Sequence, residues 1–263
     1  SLRRRQRQMC IRDSLYIGSR LFEEIIEVDG QKFRPSVAEG FRDTLEYIAH
    51  GRIEPHVSSL FCSMLEEGMT VVDIGANIGY YTLLAAKRVG VRGQVISFEP
   101  DPFNYKRLVE NVQMNDWNNV KAFQLAVSDF KGEKKLNIPK LGRSGSTFAI
   151  RSNIANSITV KTVSLDSFLR DSPDLIKIDV EGAELEVLRG MKNILAKGKV
   201  KIICEIHPAL LSSLGYSTKE IEDLLMRYGY NIYLIKDDGG LLPMDKLIDK
   251  KSAHYLFTKE RIK

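Results

Sequence analysis

Long apolar runs are missing from this 263-residue chain; no stretch approaches the ~20 residues that a membrane-spanning helix needs. The N-terminus has no apolar core of a secretory leader. Cysteine is scarce: Cys10, Cys62 and Cys204 stand without motif spacing. That argues against a disulfide framework or a zinc site, and points to a reducing, cytoplasmic setting. Internal repeats and low-complexity segments are absent too. A surplus of charge is largely absent once the first residues are set aside. Residues 1–14 hold five arginines (Arg3, Arg4, Arg5, Arg7, Arg12) and one acid, Asp13. Removing that +4 from the net +5 leaves about +1, so the body of the chain implies no phosphate-binding surface and no nucleic-acid partner. The segment QMCIRDS resembles the translation of a transposase end used in sequencing libraries, so residues 1–14 are expected to be an adapter artefact, with the true N-terminus missing.

What remains is ordinary for a globular protein, with 43% hydrophobic and 28% charged residues, enough for one large domain or two small ones. EEIIEVDGQKFRP reads as a hairpin turning at Asp29-Gly30. Residues 36–66 read as helical, broken near Gly51 and Pro55, and residues 15–66 together as a flank. From Thr70 onward strand and helix alternate. TVVDIG, QVISFE, VKAFQLAV, DLIKIDV and KIICEIH are the first five strands, with helices from Ile78 to Val89, from Asp101 to about Asn115, and up to Gly190. Ser217 to Glu220 forms a capping box for a helix with Ile221, Leu224, Leu225 and Tyr228 on one face. YNIYLIK and HYLFTK follow as a pair long enough to run antiparallel. This rhythm predicts a mostly parallel sheet with helices on both faces, interrupted by an inserted β-like segment at 130–173.

VVDIGANIGYYT carries the strongest local signal. A strand ends at Asp73, and Gly75 and Gly79 open a helix whose free N–H groups suit an anion. The dinucleotide pattern G-x-G-x-x-G fails here, because Asn77 stands at the second glycine's place and the third glycine is missing. A pyrophosphate fits poorly, whereas the amino-acid end of S-adenosylmethionine (SAM) asks for less room, and Asp73 is placed to meet its ammonium. Glu99 ends the second strand, 24 residues beyond Gly75, where an acid accepts both ribose hydroxyls of an adenosine. Pro100 and Phe103 are candidates to pack on the adenine. Asp129, after the third strand, and the backbone near Ala126 are candidates for its edge.

DLIKIDVEGAELEVLRG, together with VVDIGANIGYYT, SFEPDPFNYKRLVENV, LAVSD, TVSLDSF and CEIH in this order, resembles the FkbM family of SAM-dependent methyltransferases. The resemblance covers roughly residues 70–207. It implies a Rossmann-like class I methyltransferase fold: a seven-stranded, mostly parallel sheet whose last strand is antiparallel, occupying residues 67–263. It also implies methyl transfer to a hydroxyl of a sugar, glycolipid or polyketide-type acceptor, with Asp73, Gly75, Asn77, Gly79 and Glu99 binding SAM. Residues 1–60 and those past about Tyr216 lie outside it, and no feature of the chain speaks to its oligomeric state.

Read from the residues alone, Leu175, Lys177 and Asp179 point to one side of the fourth strand, which puts Asp179 at the ligand crevice. Glu181 and Glu184 follow in the loop and the next helix. Lys177, a cation in a core strand, needs a counter-charge, and Glu205 on the next strand is the candidate. His207 shares a strand face with Glu205 and emerges at the same rim. Asp179 or His207 is expected as the general base, with Glu205 orienting. Asp179, Glu181 and His207 are possible ligands, yet no spacing compels a metal. His50, His56 and His254 read as structural. The RSGST loop (Ser144, Gly145, Ser146, Thr147) is either a substrate contact or a plain turn. Competing readings are an NAD-dependent oxidoreductase, which the missing central glycine opposes; a non-catalytic SAM-fold binding protein, which intact acids at three strand ends oppose; and an RNA methyltransferase, which the charge balance weakens.

Overall fold

A computed structural model describes residues 25–35, 52–139, 146–149 and 154–262. The adapter-like residues 1–14, the helical reading of 36–51, His50, Ser144 and Gly145 lie outside them. The chain opens with the hairpin β1 (Ile26–Val28) and β2 (Gln31–Phe33), turning at Asp29-Gly30 as the sequence predicts. Helix α1 (Pro55–Ser63) leads to β3 (Thr70–Ile74), α2 (Tyr80–Val89), β4 (Gln94–Phe98), α3 (Pro102–Gln113) and β5 (Val120–Phe123). Next come β6 (Ala126–Val127), β7 (Gly132–Pro139), β8 (Ile154–Val163), α4 (Leu165–Phe168), β9 (Leu175–Ile178), α5 (Glu184–Arg189) and α6 (Lys192–Lys197). The chain continues through β10 (Lys201–Ile206), α7 (Pro208–Ser213), α8 (Thr218–Arg227), β11 (Asn231–Ile235), β12 (Leu241–Met244) and β13 (Ala253–Thr258).

The main sheet runs β12-β11-β13-β10-β9-β3-β4-β5. Its β10-β9-β3-β4-β5 part is parallel, and β13 runs antiparallel to both β10 and β11. The antiparallel last strand is as the resemblance implies. The sheet has eight strands rather than seven, because the loop after β11 folds back as β12. The third predicted strand also splits: β5 stays in the main sheet, while β6 leaves it to pair with β8, which in turn pairs with β7. The inserted segment is therefore a small sheet of its own. Ser128 and Lys134 fasten it through the buried Glu186 of α5.

Alternation along the central strands sorts side chains to two cores. Val71, Val95, Leu175, Ile203 and Leu256 pack under α1 and α2, while Val72, Ile96, Ile176, Ile202 and Cys204 pack under α5, α6 and α8. Asp73, Lys177, Glu205 and His254 follow the first set by strand parity. This is why the charged residues gather on one face, at the carboxyl ends of the parallel strands. Among the described residues, no helix is long and apolar enough to cross a membrane.

Candidate active site

A cavity of about 1430 Å³ opens at that rim. It is larger than the 300–1,000 Å³ usual for one small ligand, so it has room for two. Asp73, Gly75, Asn77, Glu99, Asp179, Glu205 and His207 all line it.

One half is built by the β3–α2 and β4–α3 turns. Gly75 holds φ +77° and Asn77 φ +51°, which curls the loop so that the Asn77 N–H donates to Glu99 Oε2 at 2.8 Å. The Asp101 N–H donates to Glu99 Oε1 at 2.9 Å, and Asp101 itself caps α3 by accepting from the Phe103 N–H. Glu99 is only 5% exposed; burial pushes its carboxyl up to about 8, against the pull of these two N–H donors. Asp73 accepts from the Thr82 hydroxyl at 2.6 Å and, buried, is raised to about 6.

The other half gathers around Lys177, which is 1% exposed. Its ammonium pairs with Asp179 Oδ2 at 3.2 Å and lies 4.8 Å from the centre of the Tyr81 ring. Glu205, the counter-charge expected from sequence, is taken up elsewhere. His207 Nε2 sits 3.2 Å from its Oε1, and His254 Nε2 3.4 Å from its Oε2. Two residues along the same strand, Asp179 is the nearer partner for Lys177. Burial opposes the Lys177 charge, but Asp179, Glu54 and Glu205 outweigh it and hold its pKa above the usual lysine value. His207 Nδ1 lies 3.1 Å from Glu184 Oε1, and Glu181 adds a third carboxylate 3.7 Å from Nε2. Burial alone would lower the imidazole; the Glu184 and Glu205 contacts instead raise it to about 11.

Three expected residues stand differently. Asp129 is exposed and outside the cavity lining, because β6 turns away from the main sheet and carries it off; the stretch Leu125 to Val127 lines the cavity instead. Gly79 does not line it either: a side chain there would meet Leu108, so Gly79 serves the packing of α2 on α3. Phe103 is 40% exposed and away from the cavity, whereas Pro100 lines it. Ser146 and Phe148 bring the inserted segment to the cavity wall, and the Thr147 hydroxyl donates to the Glu181 carbonyl.

Sequence reasoning gave Glu54 and Tyr81 no role at the site and read His254 as structural. Glu54 precedes α1 and accepts from the Tyr81 hydroxyl at 2.7 Å. His254 faces Glu205 directly across β10 and β13. That cross-strand pairing was the available signal, once the two strands are set antiparallel.

A parallel sheet edged with acids, a glycine turn between its first strand and helix, and a buried acid on the second strand define a SAM-dependent methyltransferase. The family described as methyltransferase FkbM domain matches residues 73–232, and the chain belongs to that family. The protein-L-isoaspartate O-methyltransferase family also matches, over residues 9–131. Hexuronic acid methyltransferase AglP of Haloferax volcanii is 30% identical over 178 residues, 66% of this chain and 68% of that protein. The 2-O-methyltransferase NoeI of Sinorhizobium fredii is 30% identical over 186 residues, 62% of this chain and 74% of that one. Methyltransferase sdnD of Sordaria araneosa is 34% identical over 155 residues, and the chain spans only 60% of its length. Among solved structures, methyltransferase FkbM from Methylobacillus flagellatus KT aligns with a TM-score of 0.48 at 18% identity, over 74% of this chain and 44% of that one.

Proposed function

We propose that the chain methylates a hydroxyl oxygen of a sugar or similar polyhydroxylated acceptor, with SAM in the Gly75–Glu99 half of the cavity and the acceptor in the Lys177–His207 half. The carrying observation is that one cavity joins both halves, with Asp179 lining it beside Lys177. Similarity to a hexuronic acid methyltransferase and a 2-O-methyltransferase supports a carbohydrate acceptor. The buried, free Cys62 and Cys204 agree with action in the cytoplasm.

SAM supplies a methyl group on a positively charged sulfur. Glu99 accepts the ribose hydroxyls, and Asp73 meets the ammonium of the methionine end, directly or through water. His207 offers the acceptor no ring lone pair, since Nδ1 faces Glu184 and Nε2 faces Glu205. Asp179 is therefore the base, placed to take the proton of an acceptor hydroxyl to which bound SAM would give its methyl group, leaving the carbon–sulfur electron pair on sulfur. Lys177 holds Asp179 in place. Glu205 and Glu184 orient His207, whose charged ring forms part of the acceptor wall. Alignment of oxygen, carbon and sulfur is the largest contribution, about 7–11 kcal/mol.

Incubation with tritium-labelled methyl-SAM and a panel of monosaccharides, uronic acids and nucleotide sugars tests the reading. Alkali-stable label is the expected ether; label lost in mild base would be a carboxyl ester and would overturn it. With an accepted sugar, Asp179→Asn is expected to lower kcat about 10²–10⁴-fold, with the Kd for SAM changed by less than about threefold. A kcat within tenfold of wild type removes Asp179 as base.

The raised Glu99 carboxyl makes a pH prediction. A carboxylate, not a carboxylic acid, accepts two hydroxyls, so at neutral pH binding must strip a proton from a group poised at about 8. Affinity for adenosine, which has no group titrating in this range, is expected to rise about tenfold per pH unit from pH 6 and level off near 8. Calorimetry at pH 6.5 in buffers of different ionisation enthalpy should show one proton released. A flat profile from pH 6 to 9 sinks the assignment.

A further inference from the structure

The acceptor half contains a side-chain cluster of which the methyl-transfer chemistry uses only one oxygen, the Oε1 of Glu205 that faces His207. Glu54, Glu205 and His254 each bring one ligand atom within 4.8 Å of the others. Sheet register places His254 opposite Glu205. Glu54 reaches them from the turn before α1, where its φ of +45° puts a side-chain-bearing residue in the left-handed region. Such a conformation costs on the order of 1–3 kcal/mol and tends to persist at functional sites. The Tyr81 hydroxyl steadies the carboxylate through Oε2.

The geometry at His254 is what singles the cluster out. Its Nε2 is 3.2 Å from Glu54 Oε1 and 3.4 Å from Glu205 Oε2, close enough for charge attraction. Yet this buried nitrogen makes a well-aligned hydrogen bond to neither oxygen. Ligands held about 2.0–2.2 Å from one ion stand about 3.0–3.5 Å from each other, which is the spacing of His254 Nε2 from each of the two carboxylates. Lys177 does not fill the place: among the described residues its ion pair is with Asp179.

We propose that Glu54, Glu205 and His254 bind one divalent transition-metal cation, of the Mn²⁺, Fe²⁺ or Zn²⁺ type. Two carboxylate oxygens and one imidazole suit these ions better than Ca²⁺. All three residues line the cavity, so the ion's remaining positions are available to oxygens of the acceptor. The role in acceptor binding rests on the methyltransferase reading; the binding of the ion does not. Two of the ligands, Glu54 and His254, lie outside the matched family segment, which ends at residue 232 and begins at 73. The site is thus a feature of this chain's flanks joined to its core.

Mn²⁺ is the probe. The full chain, stripped with EDTA, is titrated with Mn²⁺ while free ion is read by electron paramagnetic resonance. One saturable site per chain is expected, with a Kd on the order of micromolar. Glu54→Gln and His254→Gln should each weaken it at least about tenfold, while the adenosine affinity of both variants stays within about threefold of wild type. Should one variant fail to fold, the other decides. Lack of saturable binding below 1 mM by the wild type, or unchanged binding in a folded variant, overturns the proposal. Wild-type protein that binds Mn²⁺ but not SAM would overturn the cofactor assignment instead and leave the cation site standing.

Discussion

Glu99→Ala is expected to weaken SAM binding by about 10²–10⁴-fold while the chain stays folded. Hydrogen bonds to a charged group are worth about 1.5–3 kcal/mol each, and the proposed ribose contact has two of them. Together they span about 3–6 kcal/mol, which at 1.4 kcal/mol per decade gives that range. The loss does not stop at the ligand. Glu99 also accepts the Asn77 and Asp101 N–H groups, so its removal leaves two donors without an acceptor and loosens the turn that shapes the nucleoside pocket. Folding should survive, because a carboxyl whose pKa burial has raised is itself costly to bury in its charged form. Glu99→Gln separates the two effects. Its single carbonyl oxygen can keep one N–H bond and preserve much of the turn, yet it cannot accept the full set of donors. Calorimetric titration with SAM, beside thermal unfolding, reads both. Wild-type affinity in Glu99→Ala would mean that the adenosine does not sit against β4.

Much of this site could be read from sequence because its residues stand at strand tips, and a tip is marked by a local pattern. An apolar run ending in an acid, followed by a glycine, announces Asp73; the same logic found Glu99 and Asp179. Parity along β9 put Lys177 and Asp179 on one side correctly. Glu205, placed across the sheet as expected, lends Lys177 charge but not the direct ion pair, because it is claimed by two histidines, one of them 49 positions further on in a strand of opposite direction (205 to 254). Glu54 had no local mark at all: its turn lies outside any periodic element, and only the packing of α1 against α2 brings it to Tyr81 and His254. Asp129 failed for a related reason. VKAFQLAV reads as one strand by composition, but the chain changes sheets between Phe123 and Ala126, and a change of sheet leaves no trace in apolar periodicity.

Gly75→Ala should abolish SAM binding and acceptor turnover together, and lower the melting temperature by about 5–15 °C. From sequence, this glycine gives the ligand room. The structure gives it a second duty: a methyl group at Gly75 would overlap the backbone carbonyl oxygen of Asp179, the tip of the neighbouring strand. The two strands are laced at that point by the Asp179 N–H donating to the Ile74 carbonyl at 2.9 Å, and the Gly75 N–H is tied on the other side to the Phe98 carbonyl of β4 at 2.9 Å. A backbone carbonyl cannot swing aside as a side chain can. Admitting the methyl group means parting β3 from β9, which displaces Asp179 and with it the counter-charge of Lys177. The φ of +77° adds strain of about 1 kcal/mol for alanine, and overpacking about 1–3 kcal/mol more. At 2–4 °C per kcal/mol, that total sets the expected melting shift. Gly79→Ala is the matched comparison, since it too has a positive φ, but its methyl group would meet the end of the Leu108 side chain, which can turn away. It should be destabilised yet keep SAM affinity within about tenfold. If both variants bind SAM alike, the close approach of Gly75 to Asp179 is not what couples the two halves of the cavity.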